Sequence, residues 1–387
     1  MKSSVYPRAG LLLAVLTGLN FFNYLDRFVL ASVLEQIHAE FSLTDSQLGL
    51  LSTAFMLGYF LTCPLFGYLG DIWPRKLLIS GGILLWSVAT FMTGFARSFE
   101  ELILWRVLVG LGEASYATIS PSLISDIYPA GKRNNALTIF YVATPLGAAV
   151  GSLLGGWVGA TYGWHHAFIW AGAPGLLLAF SLWPFAEPRR GGAEGEPHVY
   201  VPPRLKDLVQ LFRIPAFNLV AWGYVAYTFA LGAYQHWGQL FLQRVHGVPQ
   251  ARAGMVFGGI LVFAGIVGTF LGGFGSTLWQ RRNPSAYALT LGWSVLLAVP
   301  FLFGFTLATD ETISLLCLGM AMFLLLLSTG PVNTVLLECV PVNLRASAMA
   351  LSIFLIHAFG DLWSPWLVGR VSDASGSLAF SMNALLP

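Results

Sequence analysis

GYLGDIWPRK, residues 67–76, returns in altered form as GGFGSTLWQRR at 272–282. Each copy follows an apolar stretch of the length, roughly 20 residues, that crosses a bilayer as a helix. Pro129-x-x-x-Arg133-x-x-Ala136 likewise returns as Pro341-x-x-x-Arg345-x-x-Ala348, 212 residues later. Two copies of one pattern on either side of a charged, proline-containing stretch predict a duplicated helical fold. The expected parts are a six-helix bundle over 1–186, a central loop over 187–213 and a second bundle over 214–387.

Composition agrees with this reading. The 387-residue chain is 56% hydrophobic and 10% charged, with mean hydropathy +0.71. A soluble domain carries about 25% charged residues, so the chain reads as an all-α integral membrane protein. The expected spans are 11–34, 46–70, 77–96, 102–124, 136–163, 165–186, 214–243, 252–278, 285–306, 313–337 and 347–370. The internal offset places a twelfth near 377–398, so its expected form is a shortened helix. None of the spans shows the strict alternation of a barrel strand. With the N-terminus inside, fourteen Lys/Arg fall on the cytoplasmic side and four outside, leaving Arg27 and Arg106 in the membrane. That bias predicts a cytoplasmic N-terminus. No cleavable signal is expected, because the first apolar segment is too long and contains Asp26 and Arg27.

A net charge of +2 gives no reason to expect a nucleic-acid partner. HExxH, GxSxG, dinucleotide and Walker patterns are absent from the sequence, which argues against membrane hydrolases and ATP-driven pumps. No cofactor and no metal are expected. His165 and His166 form a bare pair without further ligands, and Cys63, Cys317 and Cys339 lack metal or disulfide spacing.

The chemistry concentrates in two helices. A charge near the bilayer centre costs roughly 2.5–3.5 kcal/mol on insertion scales, yet Asp26 and Arg27 share the first span and Arg106 and Glu113 the fourth. Arg106 and Glu113 lie seven residues apart, on nearly one face and about 10 Å apart in depth. Depth matching suggests Asp26 with Arg106 and Arg27 with Glu113. A buried carboxyl beside a guanidinium can carry a proton, while Arg stays charged and grips phosphate or carboxylate. The expected roles are proton coupling for Glu113 and Asp26, and anion anchoring for Arg27 and Arg106. His236, Asn333, His357 and Asp361 are further substrate-site candidates, the last two as an i, i+4 pair. Aromatic residues of the second half, among them Tyr227, Phe257, Phe263, Phe354 and Trp363, would suit an apolar tail or simply pack.

The motif at 67–76, the duplication and the basic loops resemble the major facilitator superfamily. Ile72 and Pro74 depart from its common loop pattern, where Arg and Gly are usual. Within it, NYLDR (23–27), GEASYATISPSLISD (112–126), FYVATPLGAAVG (140–151), TGPVNTVLLECVPVNLRASAMAL (329–351) and IHAFGDLWSP (356–365) resemble the Spinster family. That resemblance implies twelve helices in two pseudo-symmetric bundles, alternating access, and lysophospholipid- or sphingolipid-like cargo. NYLDR and Arg106…Glu113 also occur in anion:cation symporters, so proton-coupled movement of small organic anions stays open. The resemblance further implies a cytoplasmic gate at Asp71, Arg75 and Lys76, with Arg133 and Arg345 as its partners. It also implies that the glycine-lined fifth and eighth helices meet across the bundle interface. Expected partners are the substrate, protons and membrane lipids. The expected state is a monomer in the plasma (inner) membrane of a bacterium.

Overall fold

The computed structural model describes residues 8–128, 130–189, 209–340 and 345–386. Its helices are α1 (Ala9–Phe41), α2 (Asp45–Ile72), α3 (Arg75–Thr93), α4 (Phe99–Ile127), α5 (Ala130–Tyr162), α6 (Trp164–Leu178) and α7 (Pro215–His246). Beyond them lie α8 (Gln250–Gln280), α9 (Ala286–Leu307), α10 in two pieces (Glu311–Leu327 and Thr329–Glu338), α11 (Arg345–Ile356 continuing through Ser364–Ser375) and α12 (Leu378–Leu385). No strand occurs among the described residues. Among the described residues, ten helices are long and apolar enough to cross a membrane. The sixth expected span is shorter as a helix: beyond Leu178 it tightens into i→i+3 turns running to Phe185.

The described residues divide into two compact units. The first falls within 1–42, 54–200 and 250–255, the second within 43–53, 201–249 and 256–387. The start of α2 thus groups with the second unit, and the start of α8 with the first.

In the first unit, the Gly147, Gly151 and Gly155 ridge of α5 lies directly on Phe21, Leu25 and Val29 of α1. A Cβ at Gly151 would overlap the Leu25 carbonyl, and one at Gly155 would stand 2.9 Å from the Val29 oxygen. Small residues every four positions let two backbones close to contact, where dispersion and weak backbone interactions act. The main partner of Gly147, Gly151 and Gly155 is thus α1, inside the same unit, while Gly159 of the same ridge meets both Val33 of α1 and Gln250 of α8. The adjacent Gly156 faces Gln250 and Gly254 of α8. In the second unit, Gly268 and Gly272 of α8 pack on Phe323 and Leu327 of α10.

Among the described residues, two π-helical segments interrupt the regular helices, at Ala264–Gly268 in α8 and His357–Asp361 in α11. Single π turns recur at functional positions in helices. α10 breaks at Ser328, just before Thr329-Gly330-Pro331. Ends follow local chemistry: Ser98 accepts from the Glu101 amide to start α4, and Gly247 and Gly376 end α7 and α11 with positive φ.

Among the described residues, two helix starts are capped from far away in the chain. Pro74 precedes α3 without any side-chain cap, and Glu187 supplies one, accepting the amides of Arg75 at 3.1 Å and Lys76 at 3.2 Å. At α2, Thr44 and Gln47 form a reciprocal capping pair. The intervening amides of Asp45 and Ser46 donate to the two Asp373 carboxylate oxygens, at 2.8 and 2.9 Å.

Candidate functional site

The first unit gathers the charged residues of α1 and α4. Arg27 Nε lies 2.6 Å from Glu113 Oε2, and the partners differ sharply in access. The Arg27 side chain is 22% exposed and that of Glu113 is 0% exposed. Three rings surround the guanidinium, Tyr24 from α1 with Phe55 and Tyr59 from α2, at 5.0–5.1 Å. Each aromatic face favours a cation by about 0.5–2 kcal/mol, which holds Arg27 in place on several sides. Glu113 Oε1 is buried and free of hydrogen bonds, with Asn23 beside it.

Asp26 and Arg106 behave differently from the expected pair. Asp26 is buried and turns to α3, accepting from the Thr90 hydroxyl at 3.4 Å. Arg106 is also buried; it lies over the Phe168 ring at 5.4 Å, and its Nε and Nη2 make no hydrogen bond. Adjacent helical residues point about 100° apart, so once Arg27 faces Glu113, Asp26 is turned towards α3 and Arg106 remains outside direct ion-pair distance. Arg106 is therefore enclosed, and Arg27 is the accessible cation of this group.

The basic residues at the α2–α3 end have partners that the sequence reading missed. Buried Arg75 pairs with Asp126 and, at 3.2 Å, with Glu187, and donates to the Pro188 carbonyl at 2.8 Å. Lys76 Nζ donates to the Phe185 carbonyl. The side chains of Asp71, Arg133 and Arg345 lie outside the described residues. Asp126 ends the run SLISD at 122–126, but only the fold shows that it meets Arg75. Replacing Arg75 by Gln leaves two carboxylates without their cation. The expected cost is about 2 kcal/mol, reduced from the fully buried range because both acids keep some solvent contact. Thermal unfolding of the purified protein should show a lower midpoint.

The second unit carries the remaining candidates. His236 of α7 is buried, its Nδ1 2.6 Å from the Ser52 hydroxyl. Asn333 donates to the Thr329 carbonyl one turn back at 3.2 Å. His357 Nδ1 stands 3.1 Å from both Asp361 oxygens, within the π segment. Asp361 packs against Gly232 of α7, where a Cβ would come within 2.8 Å of it. The aromatic residues divide: Tyr227 and Phe257 are buried, while Phe263, Phe354 and Trp363 are exposed. The same unit holds a polar cluster unmarked in the sequence, in which Asp45 accepts from Arg244 and Ser372, both at 2.6 Å.

Comparison with known proteins places this arrangement. The family model described as Major Facilitator Superfamily matches residues 16–365. Protein spinster homolog 1 of Xenopus laevis is 36% identical over 95% of this chain and 74% of its own length. Protein spinster homolog 1 of Homo sapiens is 37% identical over 95% and 73%. A solved bacterial homolog of the human lysosomal transporter Spinster, in an inward-facing and unoccupied conformation, superposes with TM-score 0.85. That structure is 29% identical, with coverage of 95% of this chain and 83% of that one. The fold, the near-full-length relatives and the shared transporter architecture agree, and the chain belongs to the Spinster family of the major facilitator superfamily.

Proposed function

We propose that this multi-pass membrane transporter moves an amphipathic, anionic, lipid-like substrate of the lysophospholipid or sphingolipid type by proton-coupled alternating access. The observation that carries the reading is the Arg27–Glu113 pair: an accessible guanidinium ringed by three aromatic faces, with a fully buried carboxylate as its ion-pair partner. A substrate phosphate or carboxylate competes with Glu113 for Arg27. Once displaced, Glu113 lies in low dielectric without its cation, where protonation is favoured. Substrate binding and proton uptake then become linked, each promoting the other by the same factor. Arg106 acts from its enclosed position as a fixed positive charge within electrostatic reach of Asp26 and Glu113, and Asp26 is a second candidate proton carrier. His236, Asn333, His357 and Asp361 are proposed as further substrate-site residues. Arg75 and Lys76, with Asp71, Arg133 and Arg345, are proposed as gate residues. The protein is proposed to act as a monomer in a bacterial plasma membrane with its N-terminus in the cytoplasm, following the positive-inside bias.

The test is uptake of labelled lysophospholipid into proteoliposomes with and without a pH gradient, beside a small organic acid. Lipid uptake that rises with the gradient supports the proposal; gradient-driven uptake of the organic acid alone overturns the lipid assignment. Arg27→Ala should weaken binding of an anionic lysolipid by about tenfold to a hundredfold, the scale of a lost charged hydrogen bond. A neutral analogue should lose less than twofold, and equal losses for both ligands would show that Arg27 does not read the headgroup.

A further inference from the structure

The approach to α7 carries a groove that shares no lining residue with the Arg27–Glu113 site. Its volume is about 610 Å³, and its lining includes Phe212, Arg213, Asn218, Leu219, Trp222 and Gly223. Asn218, Leu219, Trp222 and Gly223 fall at helical spacing on one face of α7. Phe212, Leu219 and Trp222 are all exposed, and a Cβ at Gly223 would meet nothing within 4 Å. The absent Gly223 side chain keeps the inner end of the groove open. At the other end, the Asn218 amide donates to the carbonyls of Phe212 at 2.7 Å and Ile214 at 3.2 Å. Those bonds fix the backbone on both sides of Arg213 and hold this cation at the mouth.

Depth separates this groove from an ordinary interfacial anchor. From Pro215, where α7 begins, to Trp222 is seven residues, about 10 Å along the helix, against about 15 Å for half the hydrocarbon core. With Arg213 at headgroup level, Trp222 lies below the usual aromatic belt and faces acyl chains. Its ring also contacts Phe359, with centroids 5.6 Å apart, and Phe359 belongs to the π segment that holds His357 and Asp361. A cation at one end and an apolar, aromatic-floored channel about 10 Å long match the headgroup and upper acyl chain of one phospholipid with a negative headgroup.

We propose that this groove binds an anionic phospholipid of the bilayer, such as phosphatidylglycerol, with its phosphate on Arg213 and one acyl chain along Leu219, Trp222 and Gly223. On the orientation proposed above, the lipid belongs to the cytoplasmic leaflet. It is a resident of the membrane rather than cargo, and its chain packs on the Trp222 that supports the π segment.

The test uses the full-length protein in phosphatidylcholine vesicles carrying either brominated phosphatidylglycerol or brominated phosphatidylcholine, read by tryptophan quenching. The chain has 13 tryptophans, so the Trp222 contribution is taken as the difference from Trp222→Phe. The expected result is about fivefold preference for the anionic lipid, the scale of one cation at a membrane surface, falling to parity in Arg213→Gln. Native mass spectrometry of wild type and Arg213→Gln gives the same comparison without the tryptophan variant, through retained phosphatidylglycerol. Equal quenching by both lipids, or a preference that survives Arg213→Gln, overturns the proposal. Displacement of the brominated lipid by lysophosphatidylglycerol but not by diacyl phosphatidylglycerol would also overturn it, marking the groove as a cargo entrance. These outcomes do not depend on proton coupling, so the transport proposal can fail without changing them.

Discussion

Glu113→Gln is expected to abolish the response of substrate transport to an imposed pH gradient while leaving a folded protein. Glutamine keeps the size of the side chain, and its oxygen can still accept from Arg27, so the 2.6 Å contact survives in neutral form. It can neither take up nor release a proton. The uncompensated Arg27 charge is tolerated because the side chain is partly exposed and three rings face it. For one proton moved with each substrate, a gradient of one pH unit supplies about 1.4 kcal/mol, enough for about tenfold accumulation. The variant should bring accumulation to parity with the bath, while exchange of substrate across the membrane continues. Binding of an anionic substrate should hold or tighten, because its intramolecular competitor has lost its charge. Tenfold accumulation retained by Glu113→Gln would remove Glu113 from coupling and turn attention to Asp26, for which Asp26→Asn is the matching variant.

Gly151→Ala is expected to reduce transport by more than tenfold, although it adds only one methyl group. The new Cβ would overlap the Leu25 carbonyl and press on the Leu25 Cα and carbonyl carbon. These are backbone atoms, so no rotamer change relieves the clash and α1 must move away from α5. Overpacking of this kind costs about 1–3 kcal/mol. Its functional effect is larger because Asp26 and Arg27 directly follow Leu25, and a displacement near 1 Å disturbs an aligned charged pair severely. Gly18→Ala provides the control: it also adds a methyl group to α1, with nothing within 4 Å of the new atom. Uptake by the two variants, normalised to protein recovered from the membrane, decides the matter. Equal activity would show that the α1–α5 contact does not set the position of Arg27.

The sequence made the helical membrane fold legible because twenty-residue apolar runs and a duplicated loop motif leave few alternatives. Arg27 and Glu113 could be matched by depth, since two antiparallel helices of known rise bring similar levels together. Asp26 could not be assigned in the same way. Its neighbour's orientation fixes its own, and whether it then meets Thr90 or Arg106 depends on which helix stands beside α1. The glycine ridge of α5 was visible as a pattern, but a pattern of small residues does not name the backbone that approaches it. The π segment at His357–Asp361 and the break at Ser328 also escaped periodicity: one extra residue in a turn, or one lost helical bond, hardly changes an apolar profile. Arg75 showed as a basic residue, whereas its acids, Asp126 and Glu187, lie 51 and 112 positions away.

The carboxylates that cap α2 and α3 from a distance carry a consequence for biosynthesis. A helix start whose amides are satisfied locally can be complete as soon as it is made. The first amides of α3 must wait for Glu187, and those of Asp45 and Ser46 in α2 must wait for Asp373. The second helix to be synthesised is thus among the last to be finished at its beginning. Chains stalled on the ribosome short of residue 373 should leave the Asp45 and Ser46 amides open to rapid hydrogen exchange, and release of the full chain should protect them. Order of manufacture and order of completion run in opposite directions at that end of the molecule.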